Sequence, residues 1–135
     1  MRGGFYFRIG CSVMQINGYH HVNILVTDVE RSVQFYRDVL GLERIDRSDF
    51  SFDGAWFRVG ANAELHLAQT SGVVPAGSHH FAIEVDDWDE AVDTIESSST
   101  VFDVPPSTRP DGSPVAFIRD PDGNRIELVY HDSWH

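Results

Sequence analysis

The chain has 135 residues, of which 41% are apolar and 12% aromatic. This length and composition predict one globular domain with a sizeable core. Its formal net charge is −11, from 21 acidic against 10 basic residues, which argues against nucleic acid and anionic membranes as partners. No stretch approaches the roughly 18 apolar residues of a membrane span. A single cysteine, Cys11, excludes an intramolecular disulfide, so we expect a cytoplasmic protein.

The first element of the chain is expected to be a disordered tail over residues 1–16. The domain is predicted over residues 17–131, with residues 132–135 as a second tail. Its first module, 17–70, opens on a strand that alternates apolar and polar residues. Asp28 is suited to cap the helix that follows, and Gly41 to end it. Three strands are then predicted at 42–48, 54–59 and 63–69.

The second module, 78–131, repeats this order after a link rich in Gly, Pro and Ser. A strand leads to Asp87, which together with Glu90 has the spacing of a capping box. The helix that follows should bury Trp88 and Ile95. Strands are predicted at 101–107, 114–119 and 125–130, with turn chemistry at Asp111-Gly112 and in the segment 121–124.

The two modules are an internal repeat. Residues 20–36 read HHVNILVTDVERSVQFY and residues 79–95 read HHFAIEVDDWDEAVDTI, so each His-His pair recurs at an offset of 59. The repeat predicts an α+β fold of two tandem βαβββ modules. We expect a curved mixed sheet around a metal site, with the helices on the face that points away from the metal.

Strand alternation selects the candidate metal ligands, because successive side chains of a strand point to opposite faces. On the face opposite the helices it places His21 and His66 in the first module, and His80 and Glu127 in the second. Three imidazoles and a carboxylate suit Zn²⁺, Ni²⁺, Fe²⁺, Mn²⁺ or Co²⁺. Glu64 shares the face of His66 and is the alternative fourth ligand, although we favour His66.

Each of these residues also has an ordinary interpretation. A single histidine is more often a satisfied surface or core residue than a ligand, and Glu127 alone would be a solvated acid. Alternation and repeat select the same four residues, which favours the metal site. Arg47, Arg58 and Arg119 are candidate anchors for an anionic substrate, though exposed arginine is the commoner case. Two aromatic residues, Trp56 and Phe57, could line the pocket or pack in the core.

Two motifs resemble the vicinal oxygen chelate superfamily, whose members include glyoxalase I, epimerases, extradiol dioxygenases and fosfomycin-resistance enzymes. The first is His21-Val-x-Ile-x-Val-x-Asp, followed by Ser32-Val-x-Phe-Tyr-x-x-Val-Leu-Gly-Leu42. The second is His80-Phe-Ala-Ile, followed by Arg119-Asp-Pro-Asp-Gly-Asn-Arg-Ile-Glu-Leu128. The resemblance covers about residues 17–131. It implies metal ligands on the first and last strand of each module: His21, His80, Glu127, and either His66 or Glu64.

The resemblance implies a metal-dependent enzyme that chelates two neighbouring oxygens of a small substrate and stabilises an enediolate or enolate. Glu127 would be both a ligand and the catalytic base. A glyoxalase-like lyase or isomerase is the favoured activity. The alternatives are an extradiol ring-cleaving dioxygenase and a metal-free protein that binds a small molecule such as an antibiotic. Members of this family are often homodimers, and in some the site is shared between chains.

Overall fold

The computed structural model describes residues 14–130. Residues 1–13, which include Cys11, and residues 131–135 lie outside this range. The predicted tail at 132–135 and most of the predicted tail at 1–16 therefore fall outside the described residues. The described chain folds as two successive βαβββ modules, which confirms the predicted order of elements. None of its helices is long and apolar enough to cross a membrane.

The first module contains four strands and one helix. They are β1 (His21–Val26), α1 (Val29–Gln34), β2 (Glu43–Ile45), β3 (Gly54–Val59) and β4 (Ala63–Gln69). The Asp28 carboxylate accepts a hydrogen bond from the Arg31 backbone amide and so caps α1, as predicted. The helix continues into a wide π-helical turn at Phe35–Val39 that the sequence did not reveal. It then stops at Gly41, whose φ of 71° favours glycine.

The second module repeats this order with β5 (His80–Glu84), α2 (Trp88–Ser97), β6 (Phe102–Thr108), β7 (Pro114–Arg119) and β8 (Arg125–Val129). Asp87 caps α2 by accepting from the backbone amide of Glu90. Strand β6 is the least regular, with register shifts on both sides of Val104. Its Pro105 and Pro106 cannot donate to a ladder, and the strand accordingly lies at the edge of its sheet.

The strands form two four-stranded sheets, with orders β1-β4-β3-β2 and β5-β8-β7-β6. In each sheet the first and last strands of the module pair in parallel, and the other pairs are antiparallel. The predicted α+β fold of two βαβββ modules is thus confirmed, with its strands in two mixed sheets, one from each module. Strand alternation is confirmed, because Leu65, Leu67, Ile126 and Leu128 are all buried.

One hydrophobic core joins the modules. The inward side chains of both sheets pack with α1 and Ile95 of α2 in a single buried cluster. A buried hydrogen bond also crosses the junction, since the Tyr36 hydroxyl donates to Asp120 at 2.7 Å. Burial and the neighbouring Asp120 carboxylate raise the pKa of Tyr36 well above 10, so the phenol keeps the proton it donates. The two sheets thus share one interior.

Candidate functional site

His80 and Glu127 form a close pair on the outer face of the second sheet, which is the face opposite the core and the helices. The first residue of β5 and the middle of β8 bring His80 Nε2 to 3.0 Å from Glu127 Oε1. His80 Nδ1 lies 2.8 Å from the backbone oxygen of Ser78. Because a carbonyl oxygen only accepts, Nδ1 carries the proton, and in the neutral ring Nε2 presents its lone pair.

In that neutral form the facing atoms of this pair are two acceptors, an imidazole lone pair and a carboxylate oxygen. Such a contact is stable only with a proton or a cation between them. Two ligand atoms that lie about 2.1 Å from one ion, at right angles to each other, are about 3 Å apart. The distance between these two atoms of His80 and Glu127, and their ability to bind a cation, thus fit two neighbouring ligands of one metal ion.

His21 and His66 lie together on the outer face of the first sheet. Their rings stack with centroids 4.0 Å apart, and Trp56 stacks on the other side of His66 at 4.1 Å. This sandwich buries His66, which is only 7% exposed although it lies on the outer face. His66 Nε2 is hydrogen-bonded to Glu64 Oε1 at 2.9 Å. A carboxylate that holds one nitrogen of a histidine is the usual support of a metal-ligating imidazole.

The local electrostatics keep His21 in a form that could bind metal. Desolvation, then the neighbouring imidazoles of His66 and His20, lower the pKa of His21, which favours its neutral ring. The hydrogen bond with His66 lowers the pKa of Glu64, which favours its carboxylate. Neutral imidazole is the metal-binding form of histidine.

Strand register shows which residue of the first module is equivalent to Glu127. His66 pairs with Trp56 of β3 and with Asn23 of β1. Glu127 pairs with the corresponding residues, Phe117 of β7 and Ala82 of β5. Glu64 instead lies opposite His21, just as Arg125 lies opposite His80. The internal symmetry of the fold thus matches His66, and not Glu64, with Glu127.

The four candidate ligands form two pairs, one on each sheet. Within residues 14–130, no three His, Cys, Asp or Glu side chains are grouped so that they could hold a metal ion. The alternate side chains of the same strands form the shared core. The faces that carry His21 with His66, and His80 with Glu127, are therefore the faces opposite that core.

The three arginines selected from the sequence are engaged elsewhere. Arg119 donates to the backbone oxygens of Gly77 and Gly123 and to Asp103. Arg47 donates to the backbone oxygen of Phe52 and lies over the Phe52 ring. Arg58 Nε lies 3.8 Å from Glu43 on the first sheet.

The arginine that reaches a candidate ligand is Arg109, which donates to Glu127 Oε2. Sequence reasoning missed it because it lies beyond the alternating part of β6, at the start of a turn. The only available signal was its place directly before Pro110-Asp111-Gly112, a turn sequence that joins two strands. Of the two aromatic candidates, Trp56 lies against His66, whereas Phe57 is fully buried in the core.

Curated relatives of this chain include lactoylglutathione lyases. The chain is 29% identical over 120 residues to lactoylglutathione lyase GLX1 of Arabidopsis thaliana, a match that covers 81% of the chain and 42% of the plant protein. It therefore spans about two-fifths of that relative's length. It is 31% identical over 124 residues to a protein of Synechocystis named probable lactoylglutathione lyase, covering 84% of the chain and 95% of the relative.

Solved structures with the same fold include a glyoxalase/bleomycin resistance protein/dioxygenase superfamily member from Sphaerobacter thermophilus. It is 28% identical, with a TM-score of 0.73, over 86% of this chain and 98% of that one. A mutant of the fosfomycin resistance protein FosX from Listeria monocytogenes has a TM-score of 0.73 at 18% identity over 86% of this chain and 93% of that one. It was solved with Mn(II) and 1S,2S-dihydroxypropylphosphonic acid, so at least one protein of this fold holds a divalent metal.

A family model supplies the most general match. It describes the glyoxalase/bleomycin resistance protein/dioxygenase superfamily and matches residues 18–128, which include both ligand pairs and all eight strands except the last residue of β8. The chain belongs to the glyoxalase/bleomycin resistance protein/dioxygenase superfamily.

Proposed function

We propose that this chain is a metal-dependent, glyoxalase-like lyase that acts on a small substrate with two neighbouring oxygens. The observation that carries the proposal is the pair formed by His80 and Glu127. Its two acceptor atoms face each other at 3.0 Å, and the hydrogen bond with Ser78 fixes the tautomer that a metal requires. The relatives named lactoylglutathione lyase support the reaction class.

We infer that His21, His66, His80 and Glu127 together hold one divalent ion. Three imidazoles and one carboxylate suit Zn²⁺, Ni²⁺, Fe²⁺, Mn²⁺ or Co²⁺. Register and the hydrogen bond from His66 favour Glu64 as the residue that orients His66, rather than as the fourth ligand. When bound, the ion supplies Lewis-acid stabilisation of negative charge on a substrate oxygen.

A second copy of the chain would complete this site. The two ligand pairs lie on sheet faces that point away from the shared core of one chain. A homodimer can place the first sheet of one copy against the second sheet of the other. Two exposed apolar side chains on the outer side of the first sheet, Leu25 of β1 and Phe50 beside Trp56, are consistent with such a covered face. We therefore propose a homodimer with the metal site between its chains, in a cytoplasmic protein.

Glu127 is proposed to move the proton during the reaction. Its side chain is 14% exposed, so it is partly withdrawn from solvent yet open to a small molecule. A carboxylate in such a place can take a proton from a carbon next to a carbonyl and return it to the neighbouring carbon. The flat rings of Trp56 and Phe117, one on each outer face, would exclude water beside the reacting groups.

Turnover assays test the reaction class. With Ni²⁺ or Zn²⁺ restored to chelator-treated protein, we expect anaerobic conversion of the hemithioacetal of methylglyoxal and glutathione, and no conversion without metal. The formation of the thioester product is followed by its absorbance. Oxygen consumption with catechols, in place of hemithioacetal turnover, would show a ring-cleaving dioxygenase instead. A protein that neither binds metal nor turns over either substrate would contradict the enzyme proposal.

A further inference from the structure

Arg109 is hydrogen-bonded to the second oxygen of the Glu127 carboxylate. Oε1 of Glu127 faces His80, and Oε2 accepts from the Arg109 guanidinium. The side chains of Arg109 and Glu127 are 25% and 14% exposed. Solvent screens a partly buried ion pair less than an exposed one. The positive charge of Arg109 therefore acts strongly on the negative charge of the Glu127 carboxylate.

The backbone at Arg109 is held without help from its side chain. The Arg109 amide donates to Ser113 O at 2.8 Å, and Gly112 N donates to Arg109 O at 2.9 Å. Asp111 accepts from both the backbone amide and the hydroxyl of Ser113. These bonds close the turn between β6 and β7, so the guanidinium is not needed to shape it. Its polar contact is with Glu127, a residue of the neighbouring site.

We propose that Arg109 is a positioning residue that competes with the metal ion for Glu127, an inference that rests on the proposed function. Without metal, the guanidinium neutralises the carboxylate and holds it beside His80. A divalent ion at His80 and Glu127 would lie near a fixed positive charge, and the two cations repel each other. Arg109 also draws negative charge from the carboxylate through Oε2, while the ion would bind at Oε1. Arg109 therefore lowers the metal affinity of the site.

Metal titration of charge variants tests this competition. Chelator-treated full-length protein is titrated calorimetrically with Zn²⁺ alone and with Ni²⁺ alone. Arg109→Gln is expected to lower the metal Kd by about tenfold, since it removes a positive charge beside the ion and a charge-assisted hydrogen bond that withdraws charge from Glu127. Arg109→Lys, which keeps the charge, should stay near the wild-type Kd. The matched control is Arg37→Gln, which removes an equal charge from an exposed pair with Asp38 and should change nothing.

The outcomes separate competition from a structural role. A residue that merely shaped the site would give a higher Kd, or an unchanged one, on Arg109→Gln, and either result would overturn the proposal. The proposal would also be overturned if Arg109→Lys had the same metal Kd as Arg109→Gln, or if Arg37→Gln lowered the Kd by the same factor. If the wild type binds neither ion, the proposed function fails and this inference with it. If the wild type binds metal and Arg109→Gln binds it with the same Kd, the competition is refuted but the proposed metal site is not.

Discussion

Replacing Glu127 with Gln is expected to lower kcat for the hemithioacetal by about 10³-fold, which is within the usual contribution of a general base. The amide keeps the shape of the side chain but can neither take a proton nor supply a negative ligand atom. Stopped-flow or steady-state assays at saturating metal measure the effect. Saturation matters because Glu127→Gln is also expected to weaken metal binding through the loss of the ligand pair with His80.

The matched control for this change is Glu96→Gln, which makes the same substitution on the exposed surface of α2. It should leave kcat and the metal requirement at wild-type values. A loss of less than tenfold in Glu127→Gln at full metal occupancy would show that another group moves the proton, and the role assigned to Glu127 would then be wrong.

Replacing Asp120 with Ala is expected to lower the free energy of unfolding by about 3 kcal/mol, because buried donors would lose their acceptor. Asp120 is 5% exposed, and its carboxylate accepts from the Tyr36 hydroxyl at 2.7 Å. It also accepts from the Asp122 amide at 2.9 Å, and from the amide and side chain of Asn124 at 2.8 and 2.9 Å. Asn124 in turn donates to Leu25 O in the first module. Urea unfolding followed by circular dichroism measures the change.

Two further variants locate the origin of this loss. Asp38→Ala removes a carboxylate that is exposed and pairs with its neighbour Arg37, so its urea midpoint should match the wild type. Tyr36→Phe removes one of the four hydrogen bonds and should cost less than Asp120→Ala. A wild-type midpoint for Asp120→Ala would mean that the junction between the modules does not depend on this carboxylate.

Most of the fold could be predicted from the sequence because its signals are local or repeated. The bounds of β3, β4 and β7 were predicted residue by residue, and both helix caps are confirmed at Asp28 and Asp87. Period-two alternation identifies a strand whichever sheet it joins. The π-helical turn at Phe35–Val39 was missed, because its apolar spacing is close to that of an ordinary helix.

The candidate site was predicted only in part, for a physical reason. Alternation identifies the face on which a residue lies, but not how two sheets are placed relative to each other. The sequence therefore pointed to His21, His66, His80 and Glu127 without showing that they form two pairs on separate sheets. Arg109 was missed because its contact with Glu127 depends on the tertiary placement of a turn, for which no short-range pattern exists.

The most direct test of the shared metal site is a metal count on mixed chains. One chain carries His21→Ala and His66→Ala, and the other carries His80→Ala and Glu127→Ala. Each variant alone should bind no Ni²⁺, because every site lacks half of its ligands. After the two are mixed and allowed to exchange subunits, each heterodimer should regain one complete site and bind one ion. No recovery on mixing, or full binding by either variant alone, would contradict a site built from both ligand pairs across two chains.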